Sequence, residues 1–442
     1  MDADRNKITG AQKSLIDVVF HVFAPPMTAL RDEFSPDAFT MKTVRLCRMM
    51  QSLGLRSILY ANEGSESQCG DTIIILKDRE RQFFFGSDEK WKHGAPFSFD
   101  NVEGRKLITD RITKAIENIT RNRDDDNIHI LLCTFGNFHQ PVADETGLVA
   151  IETGIGYTGT FANYQIFESY TWLHTLKGNT PVNHYHAVIP NCYYEEEFKG
   201  VAPVSETSYF AFIGRVIEDK GILIALKILD HMPSDISLHV AGQGDLKSFV
   251  PDSHPHSDRI IYHGVVGPNK RNAILSGAIA LLAPTTGYRE PFGGVMVEAQ
   301  FFGTPVITTD HAAMSETVWH GITGFRCRSL RCFVAAAQEV QQLDRNVIMQ
   351  RAKETYTCDR IKYQYEDYFQ DILNLFRPEG WNVIDGGPGH TLSQRDYYPA
   401  SNVKFGRVRL TVTFCAMLFL SAVGSVLVLT WQKQQQRKKK ST

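Results

Sequence analysis

The feature that most constrains this chain is an alternation of short apolar runs with stretches of helical spacing, and it occurs in two successive blocks. In the first block, IDVVFHVFA (16–24), LRSILYA (55–61), TIIIL (72–76), IHILLCTF (128–135), VAIETGI (149–155) and HAVIPN (186–191) read as strands. Between the first two, KTVRLCRMMQSLG (42–54) sets Val44, Cys47, Met50 and Leu53 on one helical face, with Gly54 as the stop. A further helix is expected near 105–122. Residues 199–207 (KGVAPVSET) are small and polar and read as a linker. The second block repeats the pattern with strands at YFAFIG (209–214), ISLHVAG (236–242), RIIYHG (259–264), IALLAPT (279–285) and TPVITT (304–309). Two such blocks predict an α/β molecule with two doubly wound, Rossmann-like parallel sheets. The 442 residues suit two cores better than one. A long helical stretch (346–376) and a Gly/Pro-rich tether (379–400) follow.

Charge is unevenly spread. The formal net charge is −2, yet from Arg407 onward there are seven Lys or Arg and no acid, so residues 1–406 carry 40 basic against 49 acidic side chains. A body that acidic lacks the clustered cations that phosphate backbones need, and no nucleic-acid partner is expected. Residues 410–431 contain no charge, which is about the length of a bilayer-spanning helix. Arg407 and Arg409 flank them on one side and a basic tail on the other. The N-terminus has no apolar signal stretch. The expectation is a single-pass membrane protein anchored by its C-terminal helix, with the body in the cytosol. The positive-inside rule, applied to the basic tail, pulls the other way. The eight cysteines are scattered without a CxxC pair, which argues against a zinc site and fits a reducing compartment.

Chemistry concentrates in the second block. In YREPFGGVMVEAQFFGT (288–304), Glu290 and Glu298 bracket Gly293 and Gly294 at the expected start of a helix. Glycines there let backbone approach a phosphate, and a helix N-terminus offers N–H groups and a positive dipole end. Glu298, a turn or two further on, could reach the hydroxyl pair of a ribose. Gly214 and Arg215, with Lys220 and Gly221, leave the C-terminal end of a strand, where α/β proteins bind ligands. Arg215 and Lys220 could neutralise a diphosphate, one as a fork and one as a point charge.

GRVIEDKG, HVAGQGD, EPFGGVMVEAQFFGTPVITTD, Glu316 and GITGF, in this order and spacing, resemble the C-terminal domain of family-4 retaining glycosyltransferases, the glycosyl transferases group 1, which have the GT-B fold. The likeness runs from about 209 to 345. It implies an N-terminal acceptor-side domain at 1–202 and a C-terminal nucleotide-sugar-binding domain at 203–376. A linker at 377–408, a transmembrane helix at 409–431 and a basic tail at 432–442 complete the expected organisation. By resemblance, Gly214, Arg215, Lys220 and Gly242 would meet the donor diphosphate. Glu290 with the backbone of Phe292, Gly293, Gly294 and Val295 would surround sugar and phosphates. Glu298 would hold the ribose, and the stretch around Gly264 and Val265 the nucleobase. Phe138-His139-Gln140-Pro141 resembles the family's His-x-Pro, which makes His139 a catalytic candidate beside Glu290. GIGY (154–157) and FESYTWLH (167–174) resemble N-domain segments of a subset of such enzymes. One departure stands out. The loop after the first strand reads APPMTAL (24–30), where relatives often have glycines, and its two prolines supply no N–H groups.

Other motifs have simpler readings. Asp124, Asp125 and Asp126 sit in RNRDDDN between a helix and a strand and read as a solvated turn. His184/His186 and His254/His256 lack a third ligand at suitable spacing, so no metal and no resident cofactor are expected. The expected function is transfer of a sugar from a nucleoside diphosphate sugar to an acceptor hydroxyl, on a glycan or a lipid-linked acceptor. The alternatives are a non-catalytic, membrane-anchored nucleotide-binding scaffold with the same fold, which the APPM loop favours, and a phosphorylase, for which the residues offer no phosphate site.

Overall fold

Val18–Phe23, the first strand, has no exposed position, and five of its six side chains are apolar. A strand buried on both faces needs helices above and below it, and hence parallel neighbours joined by crossovers. The computed structural model describes residues 15–66, 69–92, 97–121, 127–181, 183–204 and 207–376 and has this arrangement twice.

The first sheet comprises β1 (Val18–Phe23), β2 (Arg56–Ala61), β3 (Asp71–Ile74), β4 (Ile128–Cys133), β5 (Val149–Ile155), β6 (Tyr164–Phe167) and β7 (His186–Val188). Its order is β3-β2-β1-β4-β5-β6-β7 and every pairing is parallel. The second comprises β8 (Tyr209–Ile213), β9 (Ser237–Ala241), β10 (Ile260–Tyr262), β11 (Leu281–Ala283), β12 (Val306–Thr309) and β13 (Gly324–Cys327), in the order β10-β9-β8-β11-β12-β13, again parallel throughout. Strand order reverses between β1 and β4 and between β8 and β11. Crevices at the carboxyl ends of such strands are where α/β folds hold ligands.

Two strands escape the sequence pattern. β6 is four residues long and carries Gln165, whose amide donates to the buried Glu152 of β5 at 3.1 Å. β13, Gly-Phe-Arg-Cys, is a short edge strand with polar content. Neither has the apolar run that marks a strand by composition.

The helical stretch expected at 346–376 is two helices, Arg345–Tyr356 and Cys358–Leu375. Thr357 between them is extended (φ −74°, ψ 140°). There the chain pairs with the segment leaving β7: Tyr193 N–H donates to Tyr356 C=O and Cys358 N–H to Tyr193 C=O, each at 2.9 Å. The first helix packs against Gly294–Phe301 of the second domain. The second returns to the first domain, where Ile361, Tyr365, Phe369, Ile372 and Leu373 share a core with Val18, Phe20, Leu46 and Met50. Phe369 stacks on Phe20 with ring centroids 4.9 Å apart. The 18-residue helix Cys358–Leu375, near the end of the segment 203–376, therefore completes the N-terminal core. Among the described residues no helix is long and apolar enough to cross a membrane. The apolar segment 409–431, the linker and the Asp124–Asp126 turn lie outside the described residues.

Candidate active site

The reversal point of the second sheet opens onto a cleft between the domains, a cavity of about 500 Å³ lined by residues of both. Its C-terminal wall is made of the residues expected from sequence. β8 ends at Ile213. Gly214 then turns the chain, and Arg215 and Lys220 project from the following loop into the cavity. Lys220 Nζ pairs with Glu290 and lies 3.8 Å from the centre of the Tyr288 ring; the Arg215 guanidinium lies 5.1 Å from the same ring. Burial lowers the Lys220 pKa, Glu290 opposes the shift and Arg215 adds to it. A lysine that is desolvated beside a second cation gains from a further anion.

Gly242 explains how the two loops come so close. Its Cα abuts the backbone of Gly214, and a Cβ there would stand 1.8 Å from Gly214 O. Gly293, in the left-handed region at φ +83°, turns the chain into the helix Gly294–Phe301, whose start no side chain caps. Phe292, Gly293, Gly294 and Val295 all line the cavity beside Glu290. Glu298 lies on the same wall, 8% exposed, with Arg271 Nε 3.1 Å from its carboxylate. Val265 borders the cavity, while Gly264 sits behind it and accepts a 2.8 Å bond from Gly242 N–H.

The N-terminal wall differs from expectation. His139 is not brought to the cleft. It is 1% exposed, its ring packs against Phe23 and Phe138, and Nδ1 has no partner. Burial and the nearby Arg105 drive its pKa down to about 3, against a backbone hydrogen bond at Ala24, so it is neutral at physiological pH. The APPM loop is also turned inward. Asn62 Nδ2 donates to Pro26 O (2.8 Å) and Thr28 O (2.7 Å), and the fully buried Arg81 donates to Met27 O (3.1 Å).

What faces the cleft instead is the first turn of the helix Ala38–Ser52, the ends of β5 and β6, and the segment after β7. Lys42 pairs with Glu168, donates to Gly154 O at 3.0 Å and lies over the Phe39 ring at 4.1 Å. Arg45 forks onto Glu197 at 3.0 and 2.6 Å. The segments GIGY and FESYTWLH acquire a physical role here. Glu152, fully buried two residues before the first, accepts from Phe161 N and Ala162 N at 2.9 Å each and from Tyr157 OH at 3.2 Å. That network holds the loop that carries the chain into β6 and so to Glu168. Gly156 lies directly against Glu168, since a Cβ at Gly156 would stand 2.5 Å from its carboxylate. Sequence reading missed Lys42, Glu168 and Arg271. The only trace was Glu168 in a segment with no atoms assigned to it.

Two parallel Rossmann-like domains facing a cleft, with a cationic wall beside a glycine-turned helix start, define the class of GT-B-like glycosyltransferase folds. Solved structures agree. A glycosyltransferase involved in avilamycin A biosynthesis superimposes with a TM-score of 0.57 over 80% of this chain and 97% of its own, at 19% identity. Anabaena HepE, solved in complex with UDP and glucose, superimposes with a TM-score of 0.59 over 80% and 99%, at 11% identity. At such identities the likeness is one of fold. In the second domain, residues 207–346 match the family described as Glycosyl transferases group 1. Mycobacterium tuberculosis glycogen synthase is 28% identical over 152 residues, 32% of this chain and 36% of that protein. The chain thus matches little more than a third of that relative's length.

Proposed function

We propose that this chain transfers a sugar from a nucleoside diphosphate sugar to an acceptor hydroxyl with retention of anomeric configuration. The observation that carries this reading is the cluster of Arg215, Lys220 and Glu290 beside the uncapped start of Gly294–Phe301. Arg215 and Lys220 take the diphosphate. As Lys220 turns to phosphate oxygen, Glu290 is released to accept from the sugar hydroxyls. N–H groups at the helix start meet the remaining phosphate oxygens. Glu298, steadied by Arg271, holds the ribose, and backbone near Val265 borders the base.

In the transfer step the bond from the anomeric carbon to the phosphate oxygen breaks and a bond to the acceptor oxygen forms on the same face. The acceptor proton passes to the departing diphosphate. The chain's part is to position both partners, stabilise the charge gathering on the leaving group and keep water out. Segment 409–431 would hold the body at a membrane, on the cytosolic side, beside a glycan or lipid-linked acceptor. The APPM loop, on which the scaffold alternative rests, is held by Asn62 and Arg81 and does not line the cavity.

The experiment is a screen of the full-length chain against UDP-, GDP- and ADP-sugars by thermal shift, donor hydrolysis and transfer. Since HepE was solved with UDP and glucose, UDP-glucose is the first donor to try. Lys220→Ala and Glu290→Ala are each expected to lower turnover by ~10²-fold or more. Wild-type turnover in both variants overturns the assignment.

A further inference from the structure

The helix Tyr170–Lys177 belongs to the first domain, yet its N-terminus is capped from the second. Tyr170 N–H donates to Glu316 Oε2 at 3.0 Å, and Thr171 N–H and Oγ1–H to Glu316 Oε1 at 2.8 and 2.6 Å. Ser169 caps its own helix by accepting from Trp172 N–H at 3.0 Å, and its hydroxyl donates across the cleft to Pro291 O at 2.6 Å. Four hydrogen bonds thus join residues 169–171 to the loops around Glu290. An orphan helix terminus accepts a carboxylate well, by hydrogen bonding and by dipole.

Both ends of this contact lie next to the proposed chemistry. Ser169 follows Glu168, on the N-terminal wall of the cavity. Pro291 follows Glu290, whose carbonyl accepts from Ala313 N–H at 3.4 Å, three residues before Glu316. Between them Ala312 has φ +51°, the one non-glycine residue in the left-handed region among the described residues. Such a conformation is disfavoured for an L-residue and persists where its surroundings impose it. The clasp joins the two domains, and its bond to Pro291 O, together with the Ala313 bond to Glu290 O, braces the backbone at Glu290 and the residue after it.

We propose that Glu316 is a positioning residue: its clasp on Tyr170 and Thr171 latches the domains shut and sets Glu290 for transfer. This rests on the function proposed above, and it predicts a particular split. Donor diphosphate is held by Arg215, Lys220 and the helix start, none of which touches the clasp, whereas turnover needs the closed state.

The test uses the full-length chain with Glu316→Gln, which keeps the shape and removes the charge. Thermal stabilisation by UDP should stay within about 2-fold in apparent affinity while kcat falls by about 10-fold. Hydrogen exchange at the Tyr170 and Thr171 amides should speed up by a similar factor. Thr171→Ala should lower kcat less, and the double variant should cost less than the product of the two, as groups sharing one interaction do. Unchanged kcat in Glu316→Gln, or loss of UDP affinity in parallel with kcat, overturns the latch. If the wild-type chain transfers no sugar at all, the function fails but the exchange measurement still decides the clasp: wild-type exchange at residues 170 and 171 in Glu316→Gln refutes it.

Discussion

The two walls of the cleft are built in opposite ways. The donor-side wall is local: Gly214 to Lys220 form one loop and Glu290 to Glu298 a turn and the helix it starts, and each brings its own charge. The N-terminal wall draws on residues 35–45, on Gly156 and Glu168, and on Asn191 and Tyr193, which meet only when the sheet is assembled. One wall is a set of motifs and the other is a product of packing. A substitution on the donor side should therefore act on ligand first, and one on the N-terminal side on the fold first.

The sharpest way to break this contrast is Phe369→Ala. Phe369 is fully buried against Phe20, and loss of a core aromatic costs about 3–5 kcal/mol. Denaturant unfolding should fall by that amount, with faster hydrogen exchange in β1 and β4 and little change in β8 and β9. Equal loss of protection in both sheets would show that the walls are not separate.

Gly242→Ala probes the donor side. The new Cβ would meet Gly214 O at 1.8 Å. The expected cost sits at the upper end of the ~1–3 kcal/mol of overpacked sites, with loss of UDP-induced thermal stabilisation. Stabilisation by UDP equal to wild type would remove Gly242 from the donor site.

Lys42→Met leaves the buried Glu168 carboxylate without its partner. The side chain of Lys42 keeps 15% exposure, so the loss should be about 2 kcal/mol, less than for a fully buried pair. Adding Glu168→Gln should recover most of it. No recovery, measured by thermal unfolding, would place the cost elsewhere.

The smallest effect on turnover belongs to His139. His139→Gln should change kcat by less than about 3-fold at neutral pH, because the ring lies off the cavity and is already neutral. Its trace is in stability. Folded His139 stays unprotonated to about pH 3, whereas an unfolded histidine takes a proton near 6.5, so the unfolded chain binds more protons across that window. The folded state is favoured fully above pH 6.5 and loses that advantage as pH falls toward 3. The variant should show a flatter acid-unfolding profile.

The same contrast governs what could be read from the residues alone. Arg215, Lys220, Glu290 and Gly293 were readable because loop geometry at a strand end or helix start demands particular residues in a fixed local spacing. Lys42 and Glu168, 126 residues apart, carry no local pattern, and they pair only when the helix Ala38–Ser52 sits beside the ends of β5 and β6. β6 and β13 were missed for a related reason: their polar residues are satisfied by neighbours in space, such as Gln165 by Glu152. His139 shows the reverse case, a residue with the right neighbours in sequence that packing turns into the core.

The return of the helix Cys358–Leu375 to the first sheet has a consequence for how the protein is made. All seven strands of that sheet have been synthesised by Val188, but the helix that covers Phe20, Leu46 and Met50 begins about 170 residues later. At ribosomal rates of ~5–20 residues per second, that is roughly 10–30 s during which the nascent first domain has strands and no lid. The second domain has its strands and most of its helices before then, so the half made last can be finished first. A ribosome stalled between residues 330 and 357 would thus present an unfinished apolar face, the kind of surface that holding chaperones bind.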